Sequence, residues 1–277
     1  MRVRVAAVQQ SPGPDKAANL DAACELVRAA AAAGAQIIAL QEIFYWRGDP
    51  TQEAAQQESF PGPTTARLAN LARELQITLV GGSILETIPG SPRAYNTCGV
   101  WGPDGALLAR YRKIHLFGIH GEAGRSIQEG DTRLGGTEVV CAETPLARLG
   151  LSICYDLRFP ELYRALALAG AHILCVPAAF LMQTGKDHWE VLLRARAIET
   201  QCFVLAPNCI GTAPETGVTT YGRSLIIDPW GTILAQASDA QGFICADLDL
   251  AQQERVRAKL PTLPQIRLVG GSTCTSP

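Results

Sequence analysis

R-L-G-L-S-I-C-Y-D-L-R-F-P-E, residues 148–161, is an apolar run that stops at a cysteine and restarts behind a proline. The apolar stretch up to Ile153 reads as a buried strand. Pro160 is placed to open a helix, where a missing N–H is no loss. Cys154 then sits at a strand-to-helix turn, on top of a sheet, where nearby backbone amides can stabilise both a thiolate and an oxyanion. The bland alternative is one more buried cysteine. The G-L-S-I-C beginning at Gly150 has Cys154 where a G-x-S-x-G elbow needs its last glycine, which argues against a serine hydrolase of that kind.

Strand-then-helix logic recurs on both sides. Residues 3–8 read as a strand, 19–33 as an Ala-rich helix ending at Gly34, and 36–40 as a second buried strand. A second helical pattern covers 64–76, and 77–85 reads as the next strand. Further strands are expected at 96–101, 107–112, 138–142, 146–153, 173–176, 203–206, 224–228, 232–235 and 243–246. Helices are expected at 160–169 and 188–201, the latter opened by a capping-box variant, Asp187-x-x-Glu190. Gly102-Pro103-Asp104-Gly105 and Asp228-Pro229-Trp230-Gly231 mark hairpins, which a purely parallel sheet would not need. With no linker or repeat, the reading is one mixed α/β domain over residues 1–269, with a frayed tail at 270–277.

The 277 residues carry 24 basic and 26 acidic side chains, a net charge of −2. That balance gives no drive toward nucleic acid or an anionic membrane. Nine cysteines without C-x-x-C spacing fit neither a disulfide framework nor a zinc site. There is no P-loop, dinucleotide fingerprint or H-E-x-x-H, so no cofactor or metal is expected. His115, His120, His172 and His188 are scattered and read as structural. No apolar stretch is long enough to span a bilayer, and the N-terminus enters a strand directly rather than a signal peptide. A reducing, cytoplasmic location is expected.

Two further segments bear on Cys154. Q-E-I-F (41–44) puts Glu42 just past one strand, and Y-R-K-I-H-L-F (111–117) puts Lys113 at the end of another. A carboxylate, an ammonium and a thiol at strand ends can converge on one site, although each charge alone could be a solvated surface group.

Glu42, Lys113 and Cys154, in this order and these contexts, resemble the Glu-Lys-Cys triad of the nitrilase (carbon–nitrogen hydrolase) superfamily. The resemblance runs from V-A-A-V-Q through Y-N-T and Y-R-K-I-H-L to D-P-W-G-T. The run T-G-K-D-H-W-E-V-L-L-R-A-R-A-I-E-T-Q (184–201) is similar to the amidase branch that holds deaminated-glutathione amidases and ω-amidases. The resemblance implies a four-layer α/β/β/α sandwich with mixed sheets and a homodimer or larger oligomer, for which Leu162, Leu166 and Leu192 offer apolar helical surface. It also implies a second glutamate. Of Glu122 and Glu129, Glu129 matches better, 16 positions after Lys113 in a Q-E-G context, although G-I-H-G-E (118–122) stands where a more acidic stretch is usual. Arg158, Phe180 and Thr184 are implied beside the substrate, with Arg158 facing a carboxylate. Arg158 could instead pair with Glu161 or Asp156, and Phe180 could be core.

The implied reaction is cleavage of a small-molecule amide by a cysteine thiol through a thioester. Cys154 attacks, Glu42 moves the proton, and Lys113 with the Tyr155 backbone N–H holds the oxyanion. A nitrilase, a carbamoyl-amide hydrolase and a catalytically silent scaffold of the same fold are the alternatives.

Overall fold

A computed structural model describes residues 1–120 and 126–267. The expected tail and Glu122 lie outside the described residues. Two sheets are built on the same plan, three parallel strands with antiparallel strands added at the edges. In the first, Arg2–Gln9, Ile37–Ala39 and Thr78–Val80 run parallel, flanked by Gly242–Asp249 on one side and Ala94–Trp101 on the other. In the second, Arg148–Leu151, Ile173–Cys175 and Phe203–Ala206 run parallel, flanked by Cys141–Glu143 and by Leu225–Ile227 with Ile233–Gln236.

Helices α1 (Lys16–Ala32), α2 (Pro63–Leu75), α3 (Pro160–Leu168) and α4 (Met182–Thr200) make the crossovers. The side-chain alternation of Arg2–Gln9 shows how the layers stack. Ala6 and Val8 join Leu20, Val27, Leu68 and Leu71 of α1 and α2, whereas Val3, Val5 and Ala7 join residues of the second sheet. That second cluster also takes in Leu162, Leu166, Trp189 and Leu193 of α3 and α4. The order is helices, sheet, sheet, helices, the four layers that the resemblance implies. Gly150 lets α3 sit close to its sheet, because a Cβ there would press on Leu166 and Ala171.

Both hairpin signals form antiparallel turns, between Ala94–Trp101 and Leu107–Arg112 and between Leu225–Ile227 and Ile233–Gln236. Other expectations need correction. The single strand over 77–85 is two, Thr78–Val80 and Ile84–Thr87. Gly82 breaks it with φ +59°, in a position where a Cβ would strike the carbonyl oxygen of Gln41. Helix α4 begins at Met182, six residues early, so Asp187 lies inside it and caps nothing. Gly185 is what allows this, because the helix passes so close to Tyr221 that a Cβ would overlap that side chain. Packing there outweighs the roughly 1 kcal/mol that glycine costs a helix. A fifth helix, α5 (Leu250–Lys259), was not expected. It starts at Asp249, whose carboxylate accepts from the Ala251 N–H.

Leu162 and Leu166 do not offer surface to a second chain. They are 4% and 0% exposed, packed onto their own sheet, and Leu192 is half-buried against the same core. The exposed apolar side chains near them are Leu168, Val191, Ile198 and Trp230. Among the described residues no helix is long and apolar enough to cross a membrane.

Candidate active site

The parallel strands of both sheets deliver their carboxyl ends to one pocket, as open α/β sheets do. Glu42 follows Ile37–Ala39, Lys113 follows Leu107–Arg112 and Cys154 follows Arg148–Leu151. These three, with Glu129, Tyr155, Arg158, Phe180 and Thr184, line a cavity of about 250 Å³. All eight residues proposed from the sequence therefore meet in one place.

The turn that carries Cys154 is strained. Its φ is +49°, a left-handed value that costs a non-glycine residue about 1–3 kcal/mol. Asp156, fully buried, holds it there. One carboxylate oxygen accepts from the Ile153 N–H (2.9 Å) and the Tyr111 hydroxyl (2.6 Å). The other accepts from the His115 N–H (2.9 Å) and meets the His115 ring at Nδ1 (2.8 Å). The Cys154 N–H is tied to the Pro177 carbonyl, which joins the turn to the end of the neighbouring strand. Asp156 is thus committed to the turn rather than to Arg158. His115, stacked on Phe159, has the structural role expected of it. His172 has one too, its Nδ1 accepting from the Arg148 N–H.

The loop after Glu42 is fixed the same way. Ile43 has φ +44°, and its N–H donates to Ser83 Oγ, just beyond the Gly81–Gly82 break. Glu42 itself is 4% exposed. Its Oε1 accepts from Lys113 Nζ (3.0 Å) and Asn96 Nδ2 (2.8 Å), and its Oε2 from the Ala179 N–H (2.9 Å). Lys113, 1% exposed, also donates to Glu129 Oε2 at 2.8 Å. The same oxygen of Glu129 accepts from the Phe117 N–H, and the other pairs with Arg133.

The electrostatics follow from this arrangement. Burial pushes the Cys154 thiol well above its ordinary range, and the Glu42 carboxylate pushes it further than Lys113 pulls it back. Burial alone would lower the Lys113 pKa, but Glu129 and Glu42 outweigh it and hold the ammonium charged. Burial would raise Glu129, but Lys113 and Arg133 overcome that and keep it ionised.

Around this centre, Arg158 has no carboxylate partner among the described residues. Its guanidinium lies 5.2 Å from the Phe180 ring centre and 5.7 Å from that of Tyr155, and 3.3 Å from His188 Nδ1. The expected alternative, an ion pair with Glu161 or Asp156, does not form. Phe180 is 4% exposed, so it serves pocket and core together. Thr184 reaches the pocket only because α4 starts early.

Several residues of the site went unnoticed in the sequence. Asn96 lies in the Y-N-T run and was within reach of that resemblance. The Ala179 N–H carries no local signal, and Asp156 and Arg133 combine a local contact, with the Ile153 N–H and Glu129, with others far along the chain, to Tyr111 and His115 and to Glu53. Arg47 also lines the pocket, its guanidinium bound to the Gly211 and Val218 carbonyls and Thr220 Oγ1. Among the described residues no group of three His, Cys, Asp or Glu side chains is placed to hold a metal ion.

A cysteine in a left-handed turn and a buried lysine between two carboxylates line one pocket. The carbon–nitrogen hydrolase family profile matches residues 4–258, and the chain belongs to that family. A deaminated glutathione amidase of Synechocystis is 41% identical over 93% of this chain and 96% of its own. The human ω-amidase NIT2 is 38% identical over 95% of each chain. Among solved structures, the nitrilase-superfamily protein Nit3 of Saccharomyces cerevisiae superposes with a TM-score of 0.84, at 32% identity over 94% of each chain. The protein is a carbon–nitrogen hydrolase of the nitrilase superfamily whose relatives are amidases.

Proposed function

We propose that this enzyme hydrolyses the amide of a small, carboxylate-bearing 2-oxo acid, of the deaminated-glutathione or 2-oxoglutaramate type. The observation that carries the reading is a strained cysteine sharing one pocket with Glu42, Lys113 and an Arg158 that has no carboxylate partner among the described residues. The names of the relatives point to the same substrates. Glu42 takes the Cys154 proton as Sγ attacks the amide carbonyl. Lys113 Nζ and the Tyr155 N–H receive the developing oxyanion. Tyr155 is the second residue of the short 3-10 helix Cys154–Arg158, where an N–H has no acceptor within the helix. Glu42 then protonates the leaving amine, and a water deprotonated by Glu42 opens the thioester. Glu129 orients Lys113. The triad requires neither metal nor cofactor. Ammonia and amine release from a panel of 2-oxo acid amides, neutral amides, nitriles and carbamoyl compounds tests the reading. Preference for nitriles or carbamoyl compounds would overturn it.

Arg158 reads the carboxylate. A guanidinium fork matches a planar carboxylate, and such a charge-assisted pair contributes roughly 1.5–3 kcal/mol. Arg158→Ala is therefore expected to lower kcat/KM on 2-oxo acid amides by about one to two orders of magnitude. Arg158→Lys should remain impaired, having charge without the fork. Neutral amides should change much less. Equal losses on charged and neutral amides would make Arg158 structural.

We also read the chain as cytoplasmic and dimeric. The eight described cysteines are all free, which suits a reducing compartment. Leu168, Val191, Ile198 and Trp230 leave apolar surface on the outer helices and an adjoining hairpin. Light scattering at micromolar concentration should return at least twice the chain mass of 29.6 kDa. A monomer mass there contradicts the dimer.

A further inference from the structure

The ion pairs around Lys113 do not end at Glu129. Arg133, 8% exposed, pairs through Nη1 with Glu129 Oε1 and through Nη2 with Glu53 Oε2, the latter at 2.7 Å. Glu53 stands on the 3-10 helix Pro50–Gln56 and also accepts from Thr132 Oγ1. The sequence of charges is Glu53, Arg133, Glu129, Lys113, Glu42, alternating in sign from the pocket rim to the nucleophile's base. Each internal member is held on both sides. Arg133 enters from the short strand Arg133–Leu134, paired with Ala94–Trp101, the strand that carries Asn96. One end of the chain therefore shares a frame with a hydrogen-bond donor to Glu42.

We propose that Arg133 is a positioning residue for the reaction, setting the aim and the charge of Glu129 and through it the placement of Lys113. This rests on the catalytic reading of Lys113 and Glu129. The physical argument is that Glu129 binds both the Phe117 N–H and Lys113 through one oxygen, so its other oxygen decides how the carboxylate is rotated. Arg133 occupies that oxygen. The charges that face Glu129 are Lys113 and Arg133; those that face Arg133 are Glu129 and Glu53, with Glu42 more distant. Removing Arg133 leaves Lys113 as the one cation that pairs with Glu129 among the described residues, in a buried setting that favours protonation. A protonated Glu129 holds Lys113 weakly. Removing Glu53 deletes a negative charge behind Arg133, which acts in the opposite sense.

The test compares the wild type with Arg133→Met, Arg133→Lys and Glu53→Gln, using 2-oxoglutaramate as substrate at pH 5 and pH 8. For Arg133→Met, kcat is expected to fall about 10–100-fold with little change in KM. The ratio of kcat/KM at pH 5 to that at pH 8 should fall about tenfold, since losing an adjacent opposite charge favours the protonated acid. Arg133→Lys should restore much of the ratio. Glu53→Gln should leave the ratio unchanged or raise it, and this variant, on a side chain 21% exposed, keeps the test available if Arg133→Met does not fold. A uniform loss in Arg133→Met at both pH values, unrelieved by lysine, overturns the proposal. So does a Glu53→Gln ratio that falls.

Iodoacetamide labelling of Cys154 separates failure of this proposal from failure of the functional reading. Loss of a nearby cation should make Arg133→Met label more slowly than the wild type at pH 8, and Glu53→Gln should label no more slowly. That readout holds whether or not 2-oxoglutaramate is turned over. Equal labelling of wild type and Arg133→Met overturns the role of Arg133 even if the wild-type enzyme hydrolyses the substrate.

Discussion

Cys154→Ala is expected to abolish turnover, by a factor of about 10⁴ or more, the scale seen when a covalent nucleophile is removed. The structure sharpens why this thiol and no other. Of the eight described cysteines, Cys154 is the one in a left-handed turn, and it lines the pocket together with Glu42 and Lys113. Cys209 also lines the pocket, but its thiol donates to the main-chain carbonyl of Glu42 and burial pushes it up to about 12. Cys98 and Cys175 lie between the sheets, with no path to substrate. Turnover in the wild type should survive EDTA, because every step is assigned to a side chain or a backbone N–H. A Cys154→Ala enzyme that keeps substantial activity, with or without EDTA, would defeat the assignment.

Glu42→Gln should lower kcat by about two to four orders of magnitude, the usual contribution of a general acid–base group. It should not silence the thiol. The Glu42 carboxylate pushes the Cys154 pKa upward while Lys113 opposes it, so neutralising Glu42 favours the thiolate. The variant is therefore expected to label with iodoacetamide at least as fast as the wild type at pH 8, while turnover collapses. Glutamine matches glutamate in size and keeps one of its two acceptor oxygens, so it can accept from Asn96 or from the Ala179 N–H but not both; circular dichroism checks that the fold is kept. Parallel loss of labelling and turnover, with circular dichroism unchanged, would mean that Glu42 makes the thiolate rather than carries the proton.

Much of this was legible along the chain because the decisive signals are local. The strand preceding Cys154, the helix behind Pro160 and the two hairpin turns follow from apolar pattern and from proline and glycine placement. Glu42 and Lys113 were recognisable because each closes a strand within a distinctive context. The errors share one cause. The break at Gly81–Gly82, the early start of α4 and the burial of Leu162 and Leu166 are each decided by a neighbour far away in sequence: Gln41, Tyr221 and the second sheet. A glycine that penalises an isolated helix becomes a requirement when another side chain fills the space of its Cβ.

The mixed α/β class was legible because periodicity and turn chemistry are written in short windows, whereas Glu42, Lys113 and Cys154 were singled out together only by the resemblance of their local motifs to the superfamily. Only the tertiary structure decided which groups those residues face. Asp156 supports the strained turn, Asn96 and the Ala179 N–H hold Glu42, Arg158 pairs with no carboxylate among the described residues, and Arg133 with Glu53 extends the ion pairs behind Lys113. Most of these contacts join segments far apart in the chain, up to 137 residues for Glu42 and the Ala179 N–H. Hydrogen bonds and charge pairs act over a few ångströms of space whatever the separation along the chain, so no local pattern records them.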